Sequence, residues 1–358
     1  MARPSREAVF DSLDRAVDEL ETIGGLPRPD EAEAIWEGIW YEETHHSTAI
    51  EGNTLILKEV KTLLEEGRAV GAKELREYLE VQGYAEAAHW VYQQGLEADW
   101  SGRELMTMSE LREIHRLVVE PAWRHFPPTD HVQQEGPGSF RHHDIRTFAG
   151  GMTPAPWPDV PPLMTDWIDA AKRLPLATED GRHFIVHAAD LHASFERIHP
   201  FRDGNGRVGR LALNLMLVRV GYPPAVIYKK DRAKYLRGLE RADRGDSAAL
   251  GELLARAVKH GIDRFLLPGL AGPHRIIPIS ALADQTISLI ALRRAAERGR
   301  LRAVRRRDQW YSTRKWVEEY KRSRRKGQRR RGKRSGAPPI QREVEIQERL
   351  WERQGPGS

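Results

Sequence analysis

Apolar residues recur every three or four positions through most of the first hundred residues, and this spacing restricts the chain to a largely helical fold. The segments that carry it are REAVFDSLDRAVDELETI, PDEAEAIWEGIWYEETHHSTAIEGN, LKEVKTLLEEG and AKELREYLEVQGYAEAAHWVYQQG. Further along, HFIVHAADLHASFERIHPF and RLALNLMLVRVG are strongly apolar helical segments on either side of a short polar loop. The sequence therefore predicts a mainly α protein built as a helical bundle.

We divide the chain into four regions. A helical region over residues 1–105 precedes a central core over residues 106–268. From about Pro278 arginine becomes frequent, and the pattern predicts a helix, a tight turn at Gly299, a strand-like stretch and a second helix. We place a small basic module at residues 276–326, and the low complexity that follows predicts a disordered tail over residues 327–358.

One segment of the central core has a different pattern. In GSFRHHDIRTFAGGMTPAPW, short apolar alternation surrounds Gly150 and Gly151. Such alternation around a glycine pair predicts a short β-hairpin, which we place near Phe148 to Trp157.

The composition excludes several classes of function. The chain has 358 residues and no cysteine, so disulfide bonds and thiol catalysis are excluded. No segment reaches the ~18 apolar residues of a membrane helix, and the N-terminus, MARPSREAVFDSLDRAVDELETIGG, is too charged for a signal peptide. The formal charge of +5 reflects the arginines crowded between Arg293 and Arg334. We therefore expect a cytoplasmic protein without a membrane-spanning segment.

The stretch IHPFRDGNGRVGR, from Ile198 to Arg210, joins the two apolar helices of the central core. Two glycines flank Asn205 and let backbone N–H groups converge at the start of the second helix, which makes an anion site. Arg207 and Arg210 are three residues apart and project from roughly one face of that helix. Two arginines on one face suggest a polyphosphate ligand.

Two further residues of this stretch suit group transfer to a hydroxyl. Asp203 beside a phosphate site would repel the ligand unless a cation intervenes, so we assign it to Mg²⁺. His199 has the pKa class of a general base near neutrality. These residue types point to nucleotidyl or phosphoryl transfer, whereas a plain Asp-Gly/Asn-Gly turn between two helices is the structural alternative.

The same stretch resembles the signature of the Fic family, HPFx[D/E]GNGRxxR, with every defined position filled. The resemblance implies transfer of AMP from ATP to a Ser, Thr or Tyr hydroxyl of a target protein, with release of pyrophosphate. It implies that His199 is the base, that Asp203 holds Mg²⁺ and that Phe201 anchors the loop. The implied phosphate-binding residues are Gly204, Asn205, Gly206, Arg207 and Arg210.

The resemblance also bears on the nucleotide and the target. Gly204 occupies the position at which a kinase-like branch of the family has lysine, and this favours AMP transfer over phosphate transfer. Other members use UTP or CDP-choline, so ATP is inferred from the common case. The predicted hairpin lies where Fic proteins carry a flap that holds the target chain by strand pairing. Self-modification and a homodimer are further expectations from the family.

A second motif lies upstream, in THHSTAIEGN. Glu51 lies in the last turn of a predicted helix, at its negative end, where a carboxylate is unfavourable by roughly 0.3–1 kcal/mol unless a cation is nearby. The segment resembles the family's inhibitory motif [S/T]xxxE[G/N], filled here by Ser47, Glu51 and Gly52. The resemblance implies that Glu51 pairs with Arg210 and blocks productive ATP binding. It leaves open a second role, in which Glu51 orients a water that removes AMP from a modified protein.

The basic module raises a competing hypothesis. It resembles helix-turn-helix modules of the excisionase and winged-helix type, and its basic wing is suited to phosphate contacts. The wing residues are Arg300, Arg302, Arg305, Arg306 and Arg307. The chain is then either a self-restrained adenylyltransferase or a DNA-binding regulator whose Fic core senses nucleotides. A solvated basic extension is the simpler alternative for the module.

Overall fold

The structure, a computed structural model, describes residues 4–97, 104–130, 132–148, 151–172, 174, 180–270, 276–306 and 309–329. The chain forms two compact units, with the division after Gly261. The fold is mainly α, as the sequence predicts, and the described residues also form one small three-stranded sheet.

The first unit is helical, and no helix in the described residues is long and apolar enough to cross a bilayer. Its helices are α1 (Arg6–Glu21), α2 (Glu33–Ile50), α3 (Leu57–Glu66), α4 (Leu75–Leu96), α5 (Met108–Trp123), α6 (Val160–Lys172), α7 (Phe184–Ile198), α8 (Asn205–Arg219), α9 (Arg232–Ala242) and α10 (Ala248–Gly261). Short 3₁₀ turns lie at Trp157–Asp159 and Lys229–Asp231. The loop between α7 and α8 contains the central motif.

Helix α8 is the centre of this unit. It is buried on nearly every face, from Asn205 at its start to Val218 near its end. A helix of this kind is stable only inside a protein, and α4, α5 and α7 all pack against it. This packing fixes the N-terminal end of α8, where the anion site is predicted.

Helix α4 lies close to two neighbours because glycines stand at the crossings. A Cβ at Gly83 would lie 2.5 Å from Val118 O and 2.9 Å from Leu117 O, which belong to the α5 backbone. A Cβ at Gly95 would lie 2.6 Å from Val218 Cγ1 of α8. Both approaches are closer than a side chain permits, so α4, α5 and α8 form one tightly packed layer.

The predicted hairpin is limited to a turn in the described residues. Phe148 N donates to Met152 O at 2.9 Å, and the hydroxyls of Thr147 and Thr153 are 2.8 Å apart. No strand is assigned in the described part of Phe148 to Trp157, and residues 149 and 150 lie outside the described residues. The chain reverses where the sequence predicts, but without a ladder of strand pairing.

The second unit contains the only sheet assigned in the described residues. Its elements are α11 (Leu267–Leu270), β1 (Ile276–Pro278), α12 (Leu289–Glu297), β2 (Val304–Arg306), β3 (Gln309–Thr313) and α13 (Arg314–Arg329). The strands are antiparallel in the order β1-β3-β2, with Ile277 opposite Ser312 and Arg305 opposite Trp310. Helix α13 continues three residues into the predicted disordered tail, and residues 330–358 lie outside the described residues.

The α4–α5 crossing gives a stability prediction. Gly83→Ala should lower the free energy of unfolding by about 1–3 kcal/mol, because the added methyl group must push the α5 backbone away. Gly136→Ala is the matched control, since a Cβ at Gly136 has no neighbour within 4 Å. Urea unfolding followed by circular dichroism measures both variants. Equal midpoints would contradict the close packing.

Candidate active site

The candidate site is built on the turn between α7 and α8. His199 N donates to Phe195 O at 2.9 Å and ends α7, and His199 itself is left-handed with φ 52° and ψ 60°. It is the one non-glycine residue with positive φ in the described part of the chain. Such a conformation costs on the order of 1–3 kcal/mol and persists only where its surroundings enforce it. Gly204, with φ 79°, then begins α8.

Arg141 enforces this conformation from outside the motif. Its fully buried guanidinium donates from Nε to His199 O at 2.8 Å, and from Nη2 to Ile198 O at 3.3 Å. It also donates to His143 O at 2.8 Å and to Ala155 O, on both sides of the Phe148 turn. One arginine therefore links the end of α7 to the segment predicted as a flap.

Asn205 holds the middle of the turn rigid. Its Oδ1 accepts from Phe201 N at 2.9 Å, and its Nδ2 donates to Phe201 O at 2.8 Å. The side chain of this predicted phosphate-binding residue is thus committed to the loop backbone. Any contribution of Asn205 to anion binding must come from its backbone N–H.

Phe201 and the loop rest on His115 of α5. The two rings stack at 3.8 Å with an interplanar angle of 7°. His115 Nδ1 accepts from Gly138 N at 2.8 Å, so Nε2 carries the proton and donates to Asp203 O at 3.3 Å. Burial lowers the pKa of His115 to about 3, which keeps the ring neutral in this arrangement.

Arg202, the variable position of the motif, ties the turn to the preceding segment. Its guanidinium donates to Glu135 Oε2 at 2.7 Å and pairs with Asp130. Glu135 is itself buried and accepts from His142 N at 2.7 Å. The turn is therefore held at both ends by charged side chains that are distant in sequence.

His199 has one ring nitrogen free for chemistry. Nδ1 lies 3.1 Å from Glu196 O, and because a carbonyl only accepts, Nδ1 carries the proton. Nε2 then keeps its lone pair. Burial lowers the pKa of His199 to about 4, so the imidazole is neutral at neutral pH and able to accept a proton.

The backbone at the start of α8 faces a cavity of about 650 Å³. The cavity brings together the predicted residues His199, Asp203, Gly204, Asn205, Gly206, Arg207 and Glu51, and it also contains Thr48, Arg76, Glu80 and Phe148. Free N–H groups at a helix N-terminus attract anions. The cavity therefore combines a neutral imidazole with a helix N-terminus, which is a type of position that attracts anions.

Asp203 and Arg207 lie side by side in this cavity. Asp203 Oδ1 accepts from Gly204 N at 2.6 Å and lies 3.4 Å from Arg207 Nη2, while Oδ2 lies 3.5 Å from Arg76 Nη2. Burial opposes ionisation of Asp203, but Arg207 and the Gly204 N–H outweigh it and lower its pKa. Arg207 Nε is buried without a hydrogen-bond partner in the described residues, so this guanidinium retains donor capacity for a ligand.

The donor set near Asp203 fits a magnesium ion that is shared with a phosphate ligand. Mg²⁺ usually takes one or two carboxylates and completes its shell with phosphate oxygens and water. Asp203 is ionised and half exposed, as such a ligand must be. The described residues contain no group of three or more acidic or histidine side chains that would form an all-protein site.

Arg210 is buried, and the predicted inhibitory motif surrounds its guanidinium. Nε donates to Ser47 Oγ at 2.7 Å, and Nη2 donates to Ser47 O at 3.0 Å. Nη2 also pairs with Glu51 Oε1 at 2.8 Å. Burial opposes ionisation of Glu51, yet the Arg210 charge outweighs it and lowers the Glu51 pKa. The structure thus brings Ser47, Glu51 and Arg210 together.

Two glycines permit this arrangement. Gly52 has φ 108° and no neighbour within 4 Å of its Cβ position, so it serves to turn the chain directly after Glu51. Gly206 lies beneath the Glu51 carboxylate, and a Cβ there would collide with Glu51 Oε1. Glu51 therefore covers the first turn of α8, over the same N–H groups that would bind a phosphate.

A buried polar cluster anchors α2 behind Arg210. Glu43 Oε1 accepts from Tyr84 Oη at 2.9 Å and from Asn214 Nδ2 at 2.5 Å, while Tyr92 Oη donates to Glu43 Oε2. Burial raises the pKa of Glu43 to about 7, although these hydrogen bonds oppose the increase. The cluster joins α2 to α4 and α8, and so positions the helix that presents Glu51.

The residues proposed for DNA contact all lie in the second unit. Arg300 and Arg305 are exposed, Arg302 is partly buried, and Arg306 contributes its backbone to β2. Arg307 lies outside the described residues. In the same unit Val304 and Trp316 are buried, and Ala303 and Trp310 are partly exposed.

Comparison with family models places a Fic/DOC family domain at residues 105–217. The chain is 30% identical over 264 residues to the protein adenylyltransferase Fic of Culex quinquefasciatus, covering 72% of this chain and 47% of that protein. It is 32% identical over 267 residues to the protein of the same name from Nematostella vectensis, covering 73% of this chain and 56% of that protein. The chain thus spans about half the length of the curated relatives it matches.

Solved structures show the same fold. Fic-1 (aa134–508) from C. elegans aligns with a TM-score of 0.59 and 27% identity, covering 73% of this chain and 72% of that chain. A Fic domain containing signaling protein from Bacteroides thetaiotaomicron aligns with a TM-score of 0.58 and 25% identity, covering 70% of this chain and 96% of that chain. The Fic fold therefore extends over most of this chain.

Arg141 gives a prediction that does not depend on activity. Arg141→Lys should lower the free energy of unfolding by about 1–3 kcal/mol, because one ammonium cannot reach all the buried carbonyl groups and leaves at least one unpaired. Arg124→Lys, at a 70% exposed arginine, is the control. Urea unfolding measures both variants. An unfolding midpoint of Arg141→Lys equal to that of the control would show that the guanidinium does not hold the turn.

Proposed function

We propose that the protein transfers AMP from ATP to a Ser, Thr or Tyr hydroxyl of a protein, because the chain carries a Fic/DOC family domain at residues 105–217. The observation that carries this proposal is the position of His199 beside the start of α8. A neutral imidazole with a free Nε2 and an anion-binding helix end line the same cavity. This is the combination that hydroxyl attack on a nucleotide phosphate requires.

In the proposed reaction the ATP phosphates bind at the N-terminus of α8, with Arg207 and Arg210 neutralising their charge. Mg²⁺ held by Asp203 would supply further neutralisation of the phosphates. His199 Nε2 takes the proton of the target hydroxyl. The hydroxyl oxygen then bonds to the α-phosphorus, and the bond from that phosphorus to the pyrophosphate oxygen breaks. The products are an AMP-modified side chain and pyrophosphate.

The target chain is proposed to lie along the turn at Phe148. The Phe148 ring is 41% exposed and 5.1 Å from the His199 ring, so this turn borders the reacting nitrogen. Main-chain pairing to a short flap would fix a hydroxyl-bearing residue without specifying much of its sequence. Arg141 supports this arrangement, because it hydrogen-bonds both the flap segment and His199 O.

We further propose that Glu51 restrains the reaction. Its carboxylate occupies Arg210 and covers Gly206, so the terminal phosphate of ATP would have to displace it. The Glu51 side chain is 43% exposed, which weakens the pair relative to a fully buried one and lets it open. A restraint of this kind holds the enzyme at low activity until another event moves α2 or Glu51.

Label transfer tests both proposals. With α-labelled ATP and Mg²⁺, Glu51→Gly should incorporate label into itself or into lysate protein at least about tenfold faster than wild type, since Arg210 becomes available. γ-Labelled ATP should leave no label. Adding His199→Ala to Glu51→Gly should abolish incorporation. Glu66→Gly is the matched control, because Glu66 is likewise a glutamate at the C-terminal end of a helix and directly precedes a glycine.

The outcomes separate the alternatives. No α-label on any protein from any variant would contradict AMP transfer from ATP. Salt-sensitive DNA binding in that case would favour a DNA-bound regulator that senses nucleotides. Loss of AMP from a pre-modified protein only when Glu51 is present would favour the reverse reaction. Cytoplasmic location, DNA contact and dimerisation otherwise stay predictions from the sequence.

The depressed pKa of His199 gives a pH prediction. A base must be unprotonated, so the transfer rate of Glu51→Gly should stay nearly constant from about pH 7.5 to about pH 5.5, and decline only as the pH approaches the pKa of about 4. An imidazole with the usual pKa near 6.5 would lose about tenfold over the same interval. Initial rates at constant ionic strength measure this, with circular dichroism as the folding control. A tenfold loss by about pH 5.5 would contradict the buried, neutral imidazole.

A further inference from the structure

A second concave surface lies outside the candidate active site. A groove of about 780 Å³ runs along α9 and α10 and shares no residue with the His199 cavity. Residues of α9, of α10 and of the segment before α9 line it. A groove of this size is large enough for several residues of a peptide.

The groove carries an excess of positive charge in a regular row. Lys234, Arg237 and Arg241 lie three and four residues apart on α9, so they share one face of the helix over about 10 Å. Lys230 extends the row before α9 begins, and Arg256 of α10 adds a fifth cation. In an extended peptide, side chains at alternate positions lie on one face and repeat at about 6.6 Å. Carboxylates at such positions could therefore pair with successive cations of this row.

Internal pairing leaves part of this charge available. Asp231 pairs with Lys234 at 2.7 Å, Glu252 pairs with Arg256 at 2.9 Å, and Asp246 pairs with Arg241. Lys230 and Arg237 have no carboxylate partner within the part of the chain that the structure describes, although Lys230 lies over the Tyr228 ring at 5.0 Å. These three carboxylates leave Lys230 and Arg237 without a neutralising partner, and both exposed side chains can pair with carboxylates of a ligand.

The rest of the lining favours a peptide over a nucleic acid. Ala249, Leu253 and Ala257 form a partly exposed apolar strip along α10, facing the cations. Asp231 and Glu252 lie among the cations and would repel the closely spaced phosphates of a polyanion. An extended peptide that alternates acidic and apolar residues can place its carboxylates on the α9 side and its apolar side chains on the strip.

We propose that this groove binds an acidic, partly apolar segment of another polypeptide. The site is independent of the transfer reaction, so it stands whether or not AMP transfer is confirmed. It nevertheless adjoins α2, which ends directly before Glu51. The Tyr228 ring lies 4.4 Å from the His46 ring of α2, and Arg232 Nε donates to Ile50 O at 2.7 Å. A polypeptide docked in the groove therefore lies beside the segment that contacts α2.

Fluorescence polarisation of a labelled peptide tests the proposal on the full chain. The probe is a peptide of about ten residues that alternates Glu and Leu, and the comparison probe replaces each Glu with Gln. Wild type should bind the acidic probe at least about tenfold more tightly than the neutral one. The affinity for the acidic probe should fall as salt rises, because the contacts are exposed ion pairs.

Charge reversal locates the binding. Lys230→Glu/Arg237→Glu should weaken binding of the acidic probe at least about tenfold, and circular dichroism should show that it is folded because both side chains are exposed. Lys58→Glu/Arg68→Glu reverses two exposed cations outside the groove and should leave the affinity within about twofold of wild type.

Three results would overturn the proposal. They are equal binding of the acidic and neutral probes, equal loss of affinity in both reversal variants, and no binding of the acidic probe to wild type. The same polarisation measurement is made with a labelled DNA duplex. If the duplex bound wild type and lost more affinity than the acidic probe in Lys230→Glu/Arg237→Glu, the groove would be a nucleic-acid surface and the peptide assignment would be wrong.

Discussion

The buried guanidinium of Arg210 is the constraint on which the site depends. A charged group inside a protein must be paired or hydrogen-bonded, and the partners available to Arg210 come from a helix more than 150 residues upstream. Ser47 and Glu51 supply them, and Glu43 ties the same helix to α4 and α8 through Tyr84 and Asn214. The need to satisfy one arginine thus places a carboxylate over the anion-binding end of α8.

The turn between the two central helices is equally constrained, mainly through hydrogen bonds to its backbone. Its left-handed histidine is stabilised because Arg141 binds the carbonyl groups around it, Asn205 closes the loop on itself, and His115 supports Phe201 and Asp203 O. These contacts leave little freedom in the loop backbone. The proposed base and the anion-binding amides are therefore preorganised, and the element most able to change is the Glu51 carboxylate, which is partly exposed.

Much of this arrangement can be predicted from the sequence because it depends on residues that are close together in the chain. The helical periods predict α7 and α8, and the residues from His199 to Arg210 are consecutive, so their proximity needs no knowledge of tertiary structure. The Glu51 contact with Arg210 was reached only through resemblance to a known motif. The sequence analysis does not identify Arg141 or His115. Each donates a hydrogen bond to a backbone carbonyl group more than 50 residues away, and no local sequence pattern predicts such a contact. Asn205 bonds Phe201 only four residues away, but the use of its amide by the loop backbone depends on the folded turn, which no residue pattern specifies. The flap prediction includes strand pairing that the described residues do not form.

The most direct test of the account compares ATP with ADP, because only ATP carries the phosphate assigned to Arg210. Calorimetry with Mg²⁺ should give nearly equal affinities for the two nucleotides in wild type, where Glu51 occupies that arginine. In Glu51→Gln, which keeps the side-chain shape but removes its charge, ATP should bind at least about tenfold more tightly than ADP, or about 1.4 kcal/mol. An ATP preference that is the same in both proteins would contradict the claim that Glu51 competes with a phosphate for Arg210.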